Sequence, residues 1–224
     1  MPGGVTQPLK PEDREWMLAE LDGHIATAQV GIAFFKGWME EQAQVMTEFA
    51  TFPSAYMGLV QADGALELYD GILRMVDTDG TLLEEFDPAR YLDYIAEHVN
   101  AYTYLKTPYY KKRGYEHGIY RVGPLGRLNA ASHISTPLAQ EEMKLWKALN
   151  GGKPVEGTLY FHYARLIELL HALERARELL DDPGILSQDV ANPTSAITGE
   201  GIGVLEAPRG TLIHDYEVGD DDLV

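Results

Sequence analysis

Apolar residues at helical spacing, beginning just after Pro11, constrain the fold of this chain more than any other feature. Pro11, followed by Glu12 and Asp13, is typical of the first turn of a helix, where proline needs no amide partner and acidic side chains favour the positive end of the helix dipole. The apolar stripe then consists of Met17, Leu21, Ile25, Ala28, Ile32, Phe35, Met39, Met46 and Phe49. This spacing predicts one helix to about Ala50, ~60 Å long, which needs partner helices along its stripe.

Glycine and proline set the expected bend and end of this helix. We expect a bend near Gly23, Gly31 or Gly37, because glycine weakens a helix interior. Phe52-Pro53 is predicted to end the helix, because proline cannot continue its hydrogen-bond ladder.

Residues 55–87 have the pattern of a small antiparallel β region. Asp-Gly pairs at 63–64 and 79–80 are typical of hairpin turns. The predicted strands are Tyr56–Val60, Ala65–Tyr69, Ile72–Val76 and Thr81–Phe86.

Helical signals return after this β region and outweigh it. The predicted helices are 88–99, a helix entered at Pro124, 137–150 and 159–180. The expected fold class is therefore α+β and α-rich, a long-helix bundle with a small antiparallel β region. We treat the chain as one segment: a long helix at 1–54, the β region at 55–87, a helical part at 88–190 and a strand-turn-strand at 191–224.

The charge balance restricts the partners of the chain. Its 224 residues include 35 acidic and 18 basic side chains, a net charge of −17, which argues against nucleic acid or an anionic membrane as the main partner. No run approaches the ~18 apolar residues of a membrane span, and no signal-peptide pattern opens the chain. We therefore expect a cytoplasmic protein without a membrane partner.

Several classes of catalytic site are absent from the sequence. The chain has no cysteine, which excludes disulfides, thiolate metal sites and a cysteine nucleophile within it. Its 7 histidines show no metal-binding spacing, and no P-loop or G-x-S-x-G motif occurs. Gly199–Gly203 precedes a predicted strand instead of opening a helix, so it fails the context of a dinucleotide-binding loop.

One basic and tyrosine-rich cluster departs from the acidic average. It comprises Lys106, Lys111, Lys112, Arg113, Arg121 and Arg127 with Tyr102, Tyr104, Tyr109, Tyr110, Tyr115 and Tyr120. Such a mixture could form a platform for single-stranded nucleic acid. The other interpretation is a docking or core segment in which the tyrosines pack, and the net negative charge favours it.

The most unusual local pattern is the strand-turn-strand around Arg209. Apolar residues at Ile202–Leu205 predict one strand and the run Thr211–Val218 predicts another. Pro208 fixes its own φ and Gly210 frees the next residue, so one guanidinium is held on a rigid turn. Such a turn can present a planar set of donors to a small anion.

A structural interpretation of Arg209 remains open beside this one. In that interpretation the guanidinium pairs with a nearby carboxylate such as Glu206.

Both ends of the chain have the features of interrupted elements. A turn at Pro2-Gly3-Gly4 follows directly on Met1. At the other end Thr211–Val218 is expected to be the first arm of a hairpin, with Gly219–Asp222 as its turn and Leu223-Val224 starting the second arm. We expect both termini to be truncated.

Taken together, four stretches resemble the large subunit of nickel–iron hydrogenases of the cytoplasmic, bidirectional, NAD-reducing group. They are Tyr120–Asn129 (YRVGPLGRLN), Thr136–Gln140 (TPLAQ), Thr158–Leu166 (TLYFHYARL) and Gly201–His214 (GIGVLEAPRGTLIH). Pro2–Val5 is also similar to the PGG segment of that family. The resemblance spans nearly the whole chain.

The resemblance implies a metal centre whose ligands this chain lacks. The family holds nickel and iron, with cyanide and carbon monoxide on the iron, on cysteines of an R-x-C-G-x-C and a D-P-C-x-x-C motif, which would lie outside the present sequence. It implies that Arg209, with Pro208, lies beside that centre, where the guanidinium covers the cyanide ligands and acts as a proton partner. His214 matches a family histidine, whereas Asp215 departs from the usual histidine or aromatic residue.

The expected function follows from this resemblance. The chain would be the central part of a hydrogenase large subunit, metal-free and inactive alone, whose parent passes electrons from H₂ through the iron–sulfur clusters of a small subunit to a diaphorase and NAD. The alternatives are a truncated, non-catalytic scaffold or interaction subunit, or a quinone module like that of respiratory complex I. The long apolar stripe also predicts self-association of the isolated chain.

Overall fold

A computed structural model describes residues 3–192 and 199–219. The helices are α1 (Pro11–Glu41), α2 (Ala43–Glu48), α3 (Tyr91–Tyr94), α4 (Gly114–His117), α5 (Gly123–Ala130), α6 (Pro137–Ala148) and α7 (Tyr160–Asp181). Single 3₁₀ turns lie at Pro88–Arg90, Lys111–Arg113 and Pro183–Leu186. The strands are β1 (Gly3–Gly4), β2 (Ala55–Val60), β3 (Ile72–Val76), β4 (Leu82–Phe86), β5 (Ile95–His98), β6 (Thr107–Tyr110), β7 (Tyr120–Arg121), β8 (Ala191–Asn192), β9 (Glu200–Ala207) and β10 (Gly210–Glu217).

The strands of the described residues form one small sheet and three ribbons. The sheet has the order β4-β3-β2-β7, antiparallel except for the parallel pair of β2 and β7. The ribbons pair β1 with β8, β5 with β6 and β9 with β10, all antiparallel. The predicted class, α-rich α+β with small antiparallel sheets, is confirmed.

The long helices and the sheet share one apolar core. Helix α1 packs along α7, and α5 lies between β2 and α7. The largest side chains of this core are Trp146, Tyr56 and Tyr163, none of which is more than 1% exposed. A second apolar cluster beneath β2 and β3 receives Val204 and Ile213 from the β9–β10 ribbon. The ribbon is therefore packed onto the sheet by one of its faces.

The predicted single helix to Ala50 is wrong, because it breaks at Gln42. Gln42 has φ −110° and ψ 27°, outside helical values, and α2 ends at Glu48 before Ala50 with its positive φ of 47°. The break lies at none of the expected glycines. The apolar spacing is unaffected, since Met39 and Met46 are both buried. Spacing identifies the buried face but cannot show that every residue keeps helical dihedral angles.

The predicted strand at 65–69 is also wrong. The structure has only isolated bridges there, between Val60 and Leu66 and between Ala65 and His133. The Glu67 carboxylate accepts the amides of Leu68 at 2.8 Å and Tyr69 at 3.1 Å, so it folds this segment into a local turn. A side chain that binds the neighbouring backbone competes with strand pairing.

The predicted helix at 88–99 is replaced by short turns and a strand. After α3, Ile95 pairs with Tyr110 and Ala96 with Tyr109 in the β5–β6 ribbon. Ile95 is buried within the second cluster, and tertiary contacts of that kind override weak local helix signals. The segment 88–190 is consequently not helical throughout.

Helix α1 leaves large apolar side chains in contact with solvent. Trp16, Val30 and Phe34 are 63%, 69% and 76% exposed. The expected self-association of the chain rests on such a surface and stays a prediction. Among the described residues, no helix combines the length and apolar character that crossing a bilayer requires.

Candidate functional site

The stretch around Arg209 is a tight hairpin made of β9 and β10. Ala207 pairs with Gly210, which leaves Pro208 and Arg209 as the two residues of the turn. Pairing continues to Glu200 and Glu217, so β10 is the second arm of this hairpin. This pairing agrees with the predicted strand-turn-strand. The expectation that Thr211–Val218 is also the first arm of a further hairpin depends on residues 220–224 and stays a prediction. The predicted arm Leu223-Val224 lies outside the described residues.

A buried guanidinium fastens this hairpin to the helices. Arg127 on α5 has a side chain only 3% exposed. Its Nε and Nη2 atoms donate to the two carboxylate oxygens of Glu168 on α7, at 2.6 and 2.7 Å. Its Nη1 atom donates to Glu206 at 3.0 Å and to the Ala207 carbonyl at 2.9 Å. Arg127 therefore binds the hairpin immediately before its turn.

Glu206 ties together both arms of the hairpin and the sheet. Its fully buried carboxylate also accepts the Leu59 amide of β2 at 2.9 Å and the Thr211 hydroxyl of β10 at 3.0 Å. The Glu206 amide donates to the Leu68 carbonyl at 2.8 Å. A carboxylate satisfied by several donors has little freedom to move.

Burial and charge act against each other in this cluster. Burial opposes the charge on Arg127, but the carboxylates of Glu168 and Glu206 outweigh it and raise the pKa of the guanidinium. Burial raises the pKa of Glu168 despite the adjacent Arg127. An ion cluster of this kind is sensitive to the loss of any member, since the remaining charge would be buried and unpaired.

The turn itself lies directly on the start of α5. Gly123 has φ +75°, and a Cβ atom there would lie 2.7 Å from the Arg209 carbonyl oxygen. A Cβ atom on Gly210 would overlap the side chain of Val122. Glycine at both positions permits this close approach, so the Arg209 backbone is fixed by contact as well as by hydrogen bonds.

The Arg209 side chain, by contrast, is free. Pro208 and Arg209 are both exposed. Within residues 3–192 and 199–219 the Arg209 guanidinium makes no hydrogen bond or ion pair, whereas Glu206 is occupied by Arg127, Leu59 and Thr211. The interpretation that Arg209 pairs with Glu206 is therefore wrong. The structure offers a cation on a fixed backbone, and none of its donors is occupied by the part of the chain that the structure describes.

Asp215, the departure from the family pattern, has a structural partner. The Tyr91 hydroxyl donates to its carboxylate at 2.8 Å. Burial, with this hydrogen bond to Asp215, raises the pKa of Tyr91 to about 12. The bond attaches β10 to α3 at the opposite end of the hairpin from Arg209. The neighbouring His214 ring lies edge-on to Tyr216 on the exposed face, with ring centroids 5.5 Å apart.

The described residues do not form a metal site. The chain has no cysteine, and among residues 3–192 and 199–219 no three histidine, aspartate or glutamate side chains are grouped as metal ligands. Among the described residues, the donor group left available at the turn is the Arg209 guanidinium, which binds anions and not cations. The turn is therefore suited to bind an anionic group, and the described residues around it do not supply a set of metal ligands.

The basic and tyrosine-rich cluster does not form one surface. Arg127 lies in the ion cluster, and Arg121 is buried against Ser54 and Tyr56, at 2.8 and 2.7 Å. The remaining cations pair locally, for example Lys106 with Glu97 at 2.9 Å. The structure therefore favours the docking or core interpretation of this segment.

A groove of about 820 Å³ runs beside the hairpin. Residues 211–213 of β10 form one wall, and the other walls are mainly tyrosine and aliphatic side chains such as Tyr120 and Ile95. Arg209 does not line the groove within the described residues. The groove and the turn are thus separate features.

The cluster of Arg127, Glu168 and Glu206 is not evident from the sequence. Sequence spacing groups Arg127 with the tyrosine-rich segment, although its position between Leu125 and Leu128 in a short apolar helix is a signal of a buried charge. Its partners lie 41 and 79 positions away, beyond the reach of any local pattern.

Comparison with known proteins relates the chain to hydrogenase subunits. It is 44% identical to a subunit of the F420-non-reducing hydrogenase vhu from Methanococcus voltae, over 100% of this chain and 53% of that protein. It is 40% identical to the beta subunit of the NAD-reducing hydrogenase HoxS from Cupriavidus necator, over 96% of this chain and 46% of that protein. No family model matches. The relatives include both kinds of hydrogenase, so they do not single out the NAD-reducing group.

The fold agrees with this homology. The crystal structure of an NAD⁺-reducing [NiFe]-hydrogenase in the H₂-reduced state matches 100% of this chain and 49% of that chain, with a TM-score of 0.92 and 36% identity. A [NiFeSe]-hydrogenase of Dm. baculatum matches with a TM-score of 0.71 at 19% identity, which concerns the fold alone. The chain spans about half the length of the curated relatives it matches.

Proposed function

We propose that this chain is the central part of the large subunit of a cytoplasmic nickel–iron hydrogenase that oxidises H₂ reversibly. The observation that carries the proposal is the Arg209 turn, where a fixed backbone presents a guanidinium with no partner among the described residues. The homology to hydrogenase subunits supports it.

The chemistry proposed for this chain is restricted to its own residues. Arg209 donates hydrogen bonds to a compact anion, such as a cyanide ligand of the family's metal centre, and Pro208 keeps the turn rigid. When bound, the nickel–iron centre supplies the splitting of H₂. A donor fixed in advance stabilises charge without reorganising, which gives it more effect than a mobile one.

The proposal extends to the partners of the complete protein. We propose a small subunit with iron–sulfur clusters and a diaphorase that reduces NAD, and the Cupriavidus necator relative, an NAD-reducing hydrogenase by name, supports the second of these. The missing metal ligands would come from polypeptide beyond this sequence. Reading the gene on both sides of the chain tests this: cysteine motifs on both sides support a large subunit, and their absence supports a scaffold.

Metal analysis tests the division of roles. Because the described residues contain no grouped ligands, the isolated chain should hold well under one nickel per molecule after purification from nickel-supplemented cells. Stoichiometric nickel by elemental analysis would overturn the proposal that the metal ligands lie outside this chain.

The substitution Arg209→Lys tests the function in the metal-loaded hydrogenase that contains this chain. Lysine keeps the charge but loses the planar set of donors, so H₂ oxidation should fall ~10²-fold while nickel content stays the same. Arg175→Lys, on the surface of α7 in an ion pair with Glu178, is the matched control and should leave the rate unchanged. An unchanged rate in Arg209→Lys would refute the role of Arg209.

A further inference from the structure

We propose that Arg127 is the positioning residue for Arg209: it sets the place of the exposed guanidinium by holding the backbone that carries it. The importance of this for H₂ chemistry rests on the proposed function, but the positioning itself does not. Arg127 would touch no substrate and would act only through the hairpin.

The contacts of Arg127 are concentrated on the residues just before the turn. Its Nη1 atom donates to the Ala207 carbonyl, which belongs to the peptide bond with Pro208, at 2.9 Å and to the Glu206 carboxylate at 3.0 Å. Through Glu206 the restraint passes to the other arm, because the Thr211 hydroxyl donates to the same carboxylate. Both arms of a turn that contains only Pro208 and Arg209 are therefore held by one side chain.

Helix α5 contacts the turn at two points on one face. Gly123 lies against the Arg209 carbonyl and Arg127 reaches the Ala207 carbonyl. Residues four apart in a helix lie on the same face, so these two contacts fix both the distance and the direction of the turn relative to α5. The other restraints on the hairpin lie along its arms and not at the turn, at Glu206, Val204, Ile213 and Asp215.

Only arginine has the geometry for this arrangement. The Nε and Nη2 edge is occupied by Glu168 on α7, which leaves Nη1 directed at the hairpin. A lysine ammonium is a single point and cannot hold Glu168 and the Ala207 carbonyl together. The charged group outside the cluster that acts on Glu168 is Arg165 on α7.

Amide hydrogen exchange on the metal-free chain tests the proposal. The informative amides are Gly210 and Leu212, which pair across to β9, and Glu206, which donates to Leu68. In Arg127→Lys the exchange of these amides should be accelerated at least tenfold more than that of core amides such as Leu73 and Ile167. A purely structural Arg127 would accelerate all of them together.

Arg121→Lys is the matched control, because Arg121 is also buried and binds several groups. Its partners are Ser54, Tyr56, the Phe52 carbonyl and the Glu156 carbonyl, none of which belongs to the hairpin. In Arg121→Lys the exchange of the hairpin amides should be accelerated no more than that of the core amides. Equal exchange of the hairpin in the two variants would overturn the proposal.

Glu206→Gln keeps the test decisive if Arg127→Lys does not fold. It retains the shape of the side chain and the Arg127–Glu168 pair but weakens the bond between Arg127 and the hairpin. It should accelerate the same amides about tenfold, and unchanged exchange would again overturn the proposal.

The two proposals fail separately. If Arg127→Lys loosens the hairpin but Arg209→Lys leaves H₂ oxidation unchanged, the positioning stands and the proposed function falls. If the hairpin amides are unaffected, the positioning falls whatever the metal-loaded protein does.

Discussion

The two hairpins β9–β10 and β5–β6 use their cations in opposite ways. In β9–β10, Arg127 donates a hydrogen bond to the residue before the turn, and Gly123 packs against the turn itself. The cation of this turn, Arg209, has no partner among the described residues. Around β5–β6 the cations are paired, Lys106 with Glu97 and Arg113 with Asp77, while the connecting loop exposes its aromatic side chains, with Tyr104 94% exposed.

The difference separates a structural charge from an available one. A paired surface cation is already neutralised and screened, so it contributes little to binding or stability. A free cation on a backbone that cannot move retains its field and its donors for a ligand. The Arg209 turn therefore carries the functional proposal, although the β5–β6 region contains more basic residues.

The largest expected effect is the loss of the guanidinium that holds β9–β10. Arg127→Met leaves Glu168 and Glu206 buried without their cation and should lower the free energy of unfolding by about 3–5 kcal/mol. Arg113→Met near β5–β6 removes an exposed pair and should cost less than about 1 kcal/mol. Urea unfolding at pH 7 measures both, and similar losses would break the comparison.

Two glycines give the next test. Gly123→Ala should cost about 3 kcal/mol, because the new Cβ adds a clash with the Arg209 carbonyl to the strain of a positive φ. Gly114, the first residue of α4, also has a positive φ, of 71°, but no atom lies within 4 Å of its Cβ position. Gly114→Ala should therefore cost about 1–2 kcal/mol, from the positive φ alone. Comparing the melting temperatures of the two variants separates the effect of the contact with Arg209 from that of the positive φ. Equal decreases in melting temperature would show that the close approach to Arg209 is unimportant.

The hydrogen bond from Tyr91 to Asp215 should have a smaller effect. Tyr91→Phe should lower the free energy of unfolding by about 1 kcal/mol, whereas Tyr109→Phe, whose hydroxyl has no partner among the described residues, should be neutral. Burial, with the bond to Asp215, raises the pKa of Tyr91 to about 12. Its contribution is therefore complete below about pH 10, the tyrosine value in an unfolded chain, and is lost as the pH rises towards 12. An effect of Tyr91→Phe that is constant to pH 12 would contradict this.

The smallest expected effect belongs to Asp77. Hydrogen bonding to Arg113 lowers the pKa of Asp77 against the opposing effect of burial. Its contribution is therefore present above about pH 4, the value of an unfolded aspartate, and is lost as the pH falls through the lowered pKa. Asp77→Asn should cost under about 1 kcal/mol at pH 7 and less at pH 3. If urea unfolding shows that Asp77→Asn costs more free energy at pH 3 than at pH 7, the Asp77–Arg113 pair is not a simple surface pair.

Local signals predict those elements whose ends are marked by proline and whose spacing is regular. Pro137 and Pro183 bound α6 and the end of α7 as expected, and the two strands of the Arg209 hairpin lie where the sequence places their centres. The strand β5 has no such signal, because it exists only through its pairing with β6. The break at Gln42 has no glycine or proline to mark it.

The sequence by itself determined the α-rich class, the faces of the long helices and the rigid turn that carries Arg209, because spacing, proline and glycine act over a few residues. Tertiary structure alone decided that Glu206 binds Arg127 and that Arg209 has no partner among the described residues. That outcome depends on buried groups from α5, α7 and β9 meeting in one place, where each unpaired charge would be costly. Charge pairing of this kind is settled by burial and distance, neither of which a linear pattern contains.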